Sequence, residues 1–329
     1  MRFKAELSAS GLSWLESKFV PTLEKLGKEV YVLLVPSALY LVQDQAVAGV
    51  EVHADLLKAE IFEEYTVTSQ NANKIAFRLA SRPLLAVLRS VGGSARVILR
   101  LVKRSHDDGR QYAYLNFHCI GELPSSTDVR QDLPLLSNPL ARSEVEELER
   151  IISSRTHIDY WLQMDRLRLS TLEKALERIP PASHSVDLFM TPAGLLLFKS
   201  ADSTSPVVMG MEYRGLRVWP REKDLYSPHE DSGRTWAAAD DDALDTQALQ
   251  ESRIQQARNS GHLTKVTIAA KDLSKALKLQ HTQPDDAMMG IPASNAFVEL
   301  AFRYESKTDE AAQIGVGVKV PTCEPDDPT

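Results

Sequence analysis

Apolar runs of strand length, alternating or continuous, dominate the first third of the chain. They lie at 3–7, 30–35, 39–43, 50–56, 62–67, 75–79, 96–102 and 112–118. Short runs rich in branched and aromatic residues and bounded by turn residues predict β-strands. Most of this region is therefore predicted to be sheet.

Two amphipathic segments interrupt these strands. Apolar residues three or four apart predict the first helix, which ends at Gly27: Leu12, Leu15, Phe19, Leu23 and Leu26. Because a proline inside a helix removes a hydrogen bond, either this helix kinks at Pro21 or a second segment begins there. The second helix is predicted over 82–91, after Ser81 as N-cap, and ends at Gly92.

The same order of elements returns in the second half of the chain. After a strand at 129–136, the polar segment 138–155 is predicted to be an exposed connector. The elements that follow are a strand at 158–162, a helix at 169–179, a hairpin over 186–198, a strand at 207–213, a strand at 263–268, a helix at 271–279, and strands near 288, 297–304 and 314–320.

The spacing of these elements predicts an internal duplication. An offset of 189 places 77–79 on 266–268 and the helix at 82–89 on 271–278, whereas the first strands of the two halves are offset by 155. The difference, 189 − 155 = 34 residues, is about the length of an acidic segment in the second half. We expect a first domain at 1–137, a connector at 138–155 and a second domain at 156–329, with an acidic insertion at about 221–260 and an acidic tail at 322–329.

The net charge of −7 argues against a nucleic-acid-binding protein only while it is averaged over the chain. Residues 221–258 hold nine acidic and five basic residues, which is −4, and the tail adds three acidic residues. These two segments account for the whole of −7. The rest of the chain is neutral, and its four predicted helices carry net charges of +1, +2, +1 and +2 over 12–28, 82–91, 165–178 and 271–279.

Each predicted helix carries lysines or arginines on the face opposite its apolar stripe. These candidate DNA-facing residues are Lys18, Lys25, Arg82, Arg89, Arg166, Arg168, Lys174, Lys271, Lys275 and Lys278. On any one helix such residues are ordinarily the solvated side. If the sheets form an outer wall with all helices on one side, the four basic faces converge on a surface suited to duplex phosphates, without base readout.

Other chemistry has little support in the sequence. No apolar stretch reaches the length of a membrane span, and no signal-peptide core follows Met1, so we expect a soluble intracellular protein. Cys119 and Cys323 lie far apart, which predicts neither a disulfide framework nor a zinc site and favours a reducing compartment. Asp240–Asp242 are more typical of an acidic loop than of a cation site. No nucleotide-binding or hydrolase motif occurs, and we expect no cofactor and no metal.

Several short motifs, in this order along a duplicated chain, resemble one known family. They are Met1-Arg2-Phe3-Lys4-Ala5, Ser69-Gln70-Asn71, Asp132-Leu133-Pro134 and Val318-Lys319-Val320-Pro321. The chain is similar over its length to the Hus-one family, a subunit of the heterotrimeric checkpoint sliding clamp known as the nine-one-one complex, itself similar to the replication clamp.

The resemblance implies an α+β fold of two tandem DNA-clamp domains, with antiparallel sheets outside and two helices per domain on the inner face. It implies a nuclear, non-enzymatic subunit in DNA damage signalling and repair. Its partners would be two non-identical clamp subunits, duplex DNA bound without sequence preference, a clamp loader, and repair and checkpoint proteins. The two edge strands that would pair with neighbouring subunits carry Val129, Gln131, Leu133, Leu135, Val207, Met209, Met211 and Tyr213.

Three alternatives stay open. The first is a homo-oligomeric processivity clamp. The second is a soluble enzyme with a scattered site that uses residues such as His106, His157 and Asp159. The third concerns Leu133, Leu135 and Leu136, which either form the floor of a groove for partner peptides or pack in the core.

Overall fold

The computed structural model describes residues 1–44, 49–105, 110–121, 128–153, 157–178, 185–200, 210–220, 255, 263–305 and 313–323. The chain divides into two units. The first comprises Met1–Arg155, His281–Asp285 and Arg303–Gly317, and the second comprises Thr156–Gln280, Asp286–Phe302 and Val318–Thr329.

A five-stranded antiparallel sheet is built around the first strand of the chain. The strand order is β5-β1-β7-β8-β9, where the elements are β1 (Arg2–Leu7), β5 (Phe62–Thr68), β7 (Arg96–Ser105), β8 (Gln111–Ile120) and β9 (Val129–Pro134). Side chains alternate across a strand, so Phe3 and Ala5 enter the core while Lys4 is exposed. One face of this sheet is therefore covered and the other is polar.

Four further strands of the first unit pair in the order β6-β2-β3-β4. They are β2 (Glu29–Leu34), β3 (Ala38–Gln43), β4 (Glu51–Leu57) and β6 (Ile75–Ala80). An apolar cavity of about 50 Å³ marks the centre of the core and is lined by both strand groups and by helices, with Phe3, Val32, Phe77, Leu84 and Phe117 among its walls. The core of this unit thus lies between its strands and its helices.

The first unit contains five α-helices among its described residues. They are α1 (Ala9–Trp14), α2 (Val20–Leu26), α3 (Lys58–Ile61), α4 (Ser81–Val91) and α5 (Arg142–Ser153), with a π-helical turn at Leu15–Phe19 between α1 and α2. Pro21 lies in the first turn of α2, where a missing N–H is tolerated. The backbone stays in the right-handed helical region at Trp14, Leu15, Phe19 and Val20, so α1, the π-helical turn and α2 follow one another without a break, and Pro21 does not open a separate helix.

The segment predicted as an exposed connector contains helix α5. Its residues Val145 and Leu148 are buried against Leu33, Val42 and Ala76 of the neighbouring strands. The segment contains many charged residues, but its few apolar residues form a stripe that packs on a sheet face distant in sequence. The expectation of a merely exposed segment was therefore wrong for the inner side of this helix.

The second half of the chain repeats this architecture. One group of strands has the order β14-β10-β16-β17-β18, and another has the order β13-β12-β11-β15. They are β10 (Ile158–Met164), β11 (Ser185–Met190), β12 (Leu196–Ser200), β13 (Gly210–Tyr213), β14 (Val218–Pro220), β15 (Thr264–Ala269), β16 (Asp286–Pro292), β17 (Phe297–Glu305) and β18 (Gln313–Pro321). Helix α6 (Arg166–Glu177) and helix α7 (Ala270–Leu277) pack together, and a 3₁₀ segment (Lys278–Thr282) follows α7.

The predicted duplication is confirmed by this strand order. In the first half, β1 lies between β5 and β7, the strand that follows α4. In the second half, β10 lies between β14, the fifth strand of that half, and β16, the strand that follows α7. The offset from β1 to β10 is 158 − 2 = 156, and from β6 to β15 it is 264 − 75 = 189. The 33 additional residues lie between β14 and β15, which is where the acidic insertion was predicted; most of that insertion lies outside the described residues.

Candidate nucleic-acid interface

Helix α4 presents the clearest basic face in the first unit. Leu84, Leu85 and Leu88 are buried, whereas Arg82 and Arg89, seven residues apart, are exposed on the opposite side. The helix contains no acidic residue. Both predicted cations of α4 are therefore available to a ligand.

Of the two predicted cations on helices α1 and α2 and the π-helical turn between them, one is exposed and the other lies over aromatic rings. Ser8 caps α1 by accepting a hydrogen bond from the Gly11 N–H at 2.9 Å. Lys25 is exposed near the end of α2. The Lys18 ammonium, however, lies 5.1 Å from the ring centroid of Trp14 and 5.6 Å from that of Tyr304. Cation–π attraction thus holds this lysine over two rings.

In the second unit, helix α6 is capped by Asp165, whose carboxylate accepts from the Arg168 N–H at 2.8 Å. Arg166 and Lys174 are exposed. The Arg168 guanidinium lies 3.3 Å from the same Asp165 carboxylate, so part of its charge is offset by its own helix cap. Of the three predicted cations of α6, Arg168 is thus the one whose charge Asp165 offsets, and Arg166 and Lys174 are the two exposed ones.

Helix α7 and its 3₁₀ extension carry the remaining predicted cations. Lys271 is exposed, and Lys278 is half-buried where α7 ends. Lys275 forms an ion pair with Asp272 at 3.3 Å, one helical turn away. Lys271 is accordingly the most accessible charge on this helix.

Two exposed cations at helix ends escaped the sequence reasoning. Lys28 follows α2, and Arg178 is the C-cap residue of α6. Basic residues are favoured where a helix ends because they interact with its unpaired carbonyls. Their positions at the predicted helix ends are therefore the sequence signal that could have identified Lys28 and Arg178.

The edge strands predicted for subunit contacts lie at the ends of their sheets. β9 ends the five-stranded sheet, and β13 ends the four-stranded sheet of the second unit. In β9, Val129 is 46% exposed, whereas Leu133 is 2% exposed and faces the core. Met211 and Tyr213 of β13 are half-buried, and Val207 and Met209 lie outside the described residues. Leu133 is thus able to serve an interface only through its backbone.

Strand β9 is held in place by side-chain hydrogen bonds. The Asn116 amide donates to Asp132 Oδ1 at 2.7 Å, and the Arg104 Nε donates to Asp132 Oδ2 at 3.0 Å. The Ser90 hydroxyl of α4 donates to Gln131 Oε1 at 2.9 Å. An edge strand fixed in this way is ordered before any further strand pairs with it.

The leucines beside this edge do not line one groove. Leu133 is in the core, Leu135 is half-buried and Leu136 is 45% exposed. A separate cavity of about 290 Å³ lies between α5 and the strands beneath it, with Tyr31, Val42, Leu140 and Leu148 among its lining residues. Two of its acidic lining residues are engaged locally, Glu144 by the Ala141 N–H and Glu147 by Arg150.

Two of the three residues named for an enzyme site lie in the described part of the chain, and they form an exposed pair. His157 Nε2 lies 3.1 Å from Asp159 Oδ1, and both side chains are about two-thirds exposed, at 65% and 66%. His106 and Asp240–Asp242 lie outside the described residues. The described ranges contain no cluster of three potential metal ligands and no helix long and apolar enough to cross a membrane. Cys119 and Cys323 are free thiols, and burial raises the pKa of Cys119.

Antiparallel sheets with helices packed on them, repeated in the two halves of the chain, define the clamp fold. A crystal structure of proliferating cellular nuclear antigen from Entamoeba histolytica superimposes with a TM-score of 0.59 at 10% identity, covering 98% of this chain and 99% of that one. PCNA from Thermococcus kodakaraensis gives 0.54 at 16% identity, covering 98% and 100%. The α+β clamp fold inferred from the sequence is confirmed.

The family follows from a second comparison. The model of the family described as Hus1-like protein matches residues 1–309. The chain belongs to the Hus1-like family, which confirms the resemblance that the short motifs indicated. No curated protein sequence matches the chain significantly.

Proposed function

We propose that the chain is one subunit of a heterotrimeric clamp that encircles duplex DNA and acts as a sliding platform in damage signalling and repair. The observation that supports this most directly is the face of α4, where Arg82 and Arg89 are exposed and no acidic residue intervenes. Charges of this kind bind phosphates without reading bases, which permits sliding. The clamp acts in the nucleus as a scaffold without a catalytic step of its own.

Its partners are two non-identical clamp subunits, a clamp loader, and checkpoint and repair proteins. Edge strands β9 and β13 support the subunit contacts, because each leaves one row of backbone groups available for pairing with another strand. Pro134 ends β9 in a position that suits an edge, since it has no N–H to donate.

Native mass spectrometry of the full chain, alone and co-expressed with candidate clamp subunits, tests the assembly. A complex with two different partners is expected, and a homotrimer or homodimer would overturn the heterotrimer. The complex would then be loaded on nicked circular DNA. Arg82→Glu combined with Arg89→Glu should abolish salt-sensitive retention while the complex stays intact, and so should reversal of Lys271, Lys275 and Lys278.

A matched control reverses two arginines on another helix. Arg142 and Arg150 of α5 are both exposed, so Arg142→Glu with Arg150→Glu makes the same change in net charge. Retention equal to that of the unmodified complex is expected for this control. If both double variants lose retention equally, net charge rather than the α4 face controls binding.

A further inference from the structure

The turn that joins helix α2 to strand β2 wraps around one buried side chain. Gln43, the last residue of β3, is 1% exposed. Its side-chain amide nitrogen donates to the Leu23 carbonyl at 2.9 Å, and to the carbonyls of Gly27 and Glu29 at 3.2 and 3.0 Å. These carbonyls belong to the last turn of α2, to its C-cap residue and to the first residue of β2. A single amide therefore holds both ends of the segment 24–28.

The orientation of this amide follows from its neighbours, since the nitrogen and oxygen of a side-chain amide are assigned from the hydrogen bonds they make. All three neighbours are carbonyl oxygens, which only accept, so the nitrogen must face them. The Gln43 carbonyl oxygen is buried and has no hydrogen-bond partner among the described residues. Because an unpaired buried acceptor is unfavourable, core packing alone would favour an apolar residue here. The contribution of the glutamine is therefore its hydrogen bonding to the turn.

The segment held by Gln43 carries two cations. Lys25 lies in the last turn of α2, and Lys28 lies just before β2. Both side chains are exposed, and neither is in an ion pair with any described residue. Both ammonium groups are therefore available to an anion.

The two acidic residues next to these lysines in sequence do not neutralise them. Glu29 is engaged by the Arg78 guanidinium at 3.6 Å. Glu24 is adjacent to Lys25 in α2, and adjacent helical residues do not face one another. The chain leaves the helix before Lys28, so Glu24 and Lys28 are not stacked one helical turn apart. The positive charge of the turn is thus not offset by its own acidic residues.

The same turn is tied to the start of helix α4. The Lys28 carbonyl accepts from the Ser81 N–H at 2.8 Å, which extends the pairing of Glu29 with Ala80. Arg82 follows as an exposed residue that is in no ion pair with a described residue. Helices α2 and α4 also pack together. The backbone of the turn is therefore anchored at Gln43 and at α4, and it lies beside the first cation of the α4 face.

We infer that Gln43 is a positioning residue for DNA binding, which holds Lys25 and Lys28 in one place beside Arg82. The inference rests on the proposed function, because the phosphates of duplex DNA are the ligand. Gln43 touches no ligand itself and acts through the two lysines. A cation that is fixed before binding loses less conformational freedom on meeting a phosphate, so it binds more tightly than a mobile one.

Fluorescence anisotropy of the assembled complex with a labelled duplex, over a range of salt concentrations, tests this role. Gln43→Met removes the amide and keeps a side chain of similar length. It should weaken binding by about 2- to 12-fold for each lysine that loses its fixed position. The slope of log K against log salt should stay the same, because both charges remain. Lys25→Ala should instead reduce that slope by about 1, and a purely structural role of Gln43 would change neither quantity.

A double-mutant cycle shows whether Gln43 acts through the lysines. In a complex that carries Lys25→Ala with Lys28→Ala, Gln43→Met should cause no further loss of affinity. In a complex that carries Arg89→Ala, near the other end of α4, the loss should be undiminished. Equal losses in the two backgrounds would overturn the inference.

Tyr65→Phe is the matched control for a general loss of stability. It removes the hydrogen bond that the Tyr65 hydroxyl donates to the Val35 carbonyl in the same unit. It should lower the melting temperature and leave the affinity for DNA unchanged. Hydrogen exchange followed by mass spectrometry should be faster at 24–28 in Gln43→Met and unchanged there in Tyr65→Phe. Unchanged exchange at 24–28 in Gln43→Met would also contradict the inference.

Gln43→Asn provides a second variant if Gln43→Met does not fold. Its amide is one methylene shorter and cannot reach all three carbonyls, so a smaller loss of affinity is expected, with the same dependence on the two lysines. Full affinity in every folded Gln43 variant would overturn the role of Gln43 alone. Absence of DNA binding by the unmodified complex would instead overturn the proposed function together with the inference that rests on it.

Discussion

Arg96 binds Glu6 with two parallel hydrogen bonds, in which its Nε and Nη2 donate to the two carboxylate oxygens at 2.6 and 2.5 Å. The residues lie on adjacent strands, β7 and β1, and the Glu6 side chain is only 4% exposed. The hydrogen bonds from Arg96 lower the pKa of Glu6 below its ordinary value. Bidentate pairs of this kind are the stronger class of ion pair.

The first prediction concerns the loss of this pair. Arg96→Met should lower the melting temperature at pH 7, because it leaves a buried carboxylate without its partner. Because the pKa of Glu6 is lower in the folded chain than in the unfolded chain, the pair stabilises the fold fully at pH values above the unfolded-state pKa. This stabilisation is lost as the pH falls through the folded-state pKa. The difference between variant and unmodified chain should therefore shrink as the pH falls below about 4.

A nearby exposed pair provides the control for this measurement. Lys4 and Glu64 form an ion pair at 3.1 Å with both side chains about half exposed or more, at 49% and 61%. Exposed pairs contribute about 0–1 kcal/mol, so Lys4→Met should leave the melting temperature nearly unchanged. An equal loss in both variants would show that the Glu6–Arg96 geometry confers no special stability.

The second prediction concerns Gly11 in helix α1. A Cβ atom at this position would lie 2.2 Å from the Ile61 carbonyl oxygen, and that oxygen also accepts from the Ser8 N–H at 3.0 Å. Alanine is favoured over glycine in helices by about 1 kcal/mol. The backbone clash outweighs this preference, and Gly11→Ala should destabilise the chain by about 1–3 kcal/mol in urea unfolding.

Gly93, after helix α4, is the matched control because a Cβ there meets no atom within 4 Å. Gly93→Ala should change the free energy of unfolding by less than about 0.5 kcal/mol. If Gly11→Ala proves as harmless as Gly93→Ala, α1 and α3 do not approach one another as closely as the structure shows.

The third prediction concerns stability in alkali. Burial raises the pKa of Tyr65 and of Tyr304, and that of Tyr213 to about 12. When the pKa of a tyrosine is higher in the folded chain than in the unfolded chain, the neutral hydroxyl contributes its full stabilisation below the unfolded-state pKa of about 10. That contribution to the free energy of unfolding is lost as the pH rises above about 10. A fully buried tyrosine such as Tyr304 contributes a decrease of about 1.4 kcal/mol per pH unit above that value.

Phenylalanine substitutions test this origin. Tyr65→Phe with Tyr304→Phe should unfold with a weaker dependence on pH above 10, as followed by circular dichroism. At pH 7 the same variant should be less stable, because the Tyr65 hydroxyl donates to the Val35 carbonyl at 2.9 Å and Tyr304 is hydrogen-bonded to Thr282. An unchanged alkaline slope would assign the loss of stability to other groups.

The fourth prediction separates helix cations by their surroundings. In the assembled clamp, Arg82→Ala and Arg89→Ala should each reduce the slope of log K against log salt by about 1. Lys18→Ala should reduce it less, because its ammonium is held over Trp14 and Tyr304. Titrating DNA binding with salt measures this slope for all three variants. If Lys18→Ala reduces the slope by as much as the arginine variants do, the two rings do not restrain the Lys18 ammonium.

Much of the fold was predictable because its elements follow local periodicity. The offset of 189 between 77–79 and 266–268 holds for the whole of β6 and β15, and the helices after them begin at Ser81 and Ala270. Apolar spacing of two or of three and four residues is a local property, so it is visible without the fold. Helix α5 was missed because its few apolar residues become a buried stripe only against a sheet face about a hundred residues earlier.

The candidate site was predictable to a lesser degree. Arg82 and Arg89 stand exposed as their spacing predicts, but Lys18 meets Tyr304, a ring distant in sequence. The position of Lys4 directly opposite Arg100 on the adjacent strand was not predicted, since it exists only through strand register.

The sequence by itself determined the duplication, the helix faces and the concentration of negative charge in two segments, because these depend on order and spacing along the chain. The tertiary structure alone decided which cations have partners and which residues share a sheet face. Such relations depend on strand pairing and packing between distant segments, which local pattern does not encode.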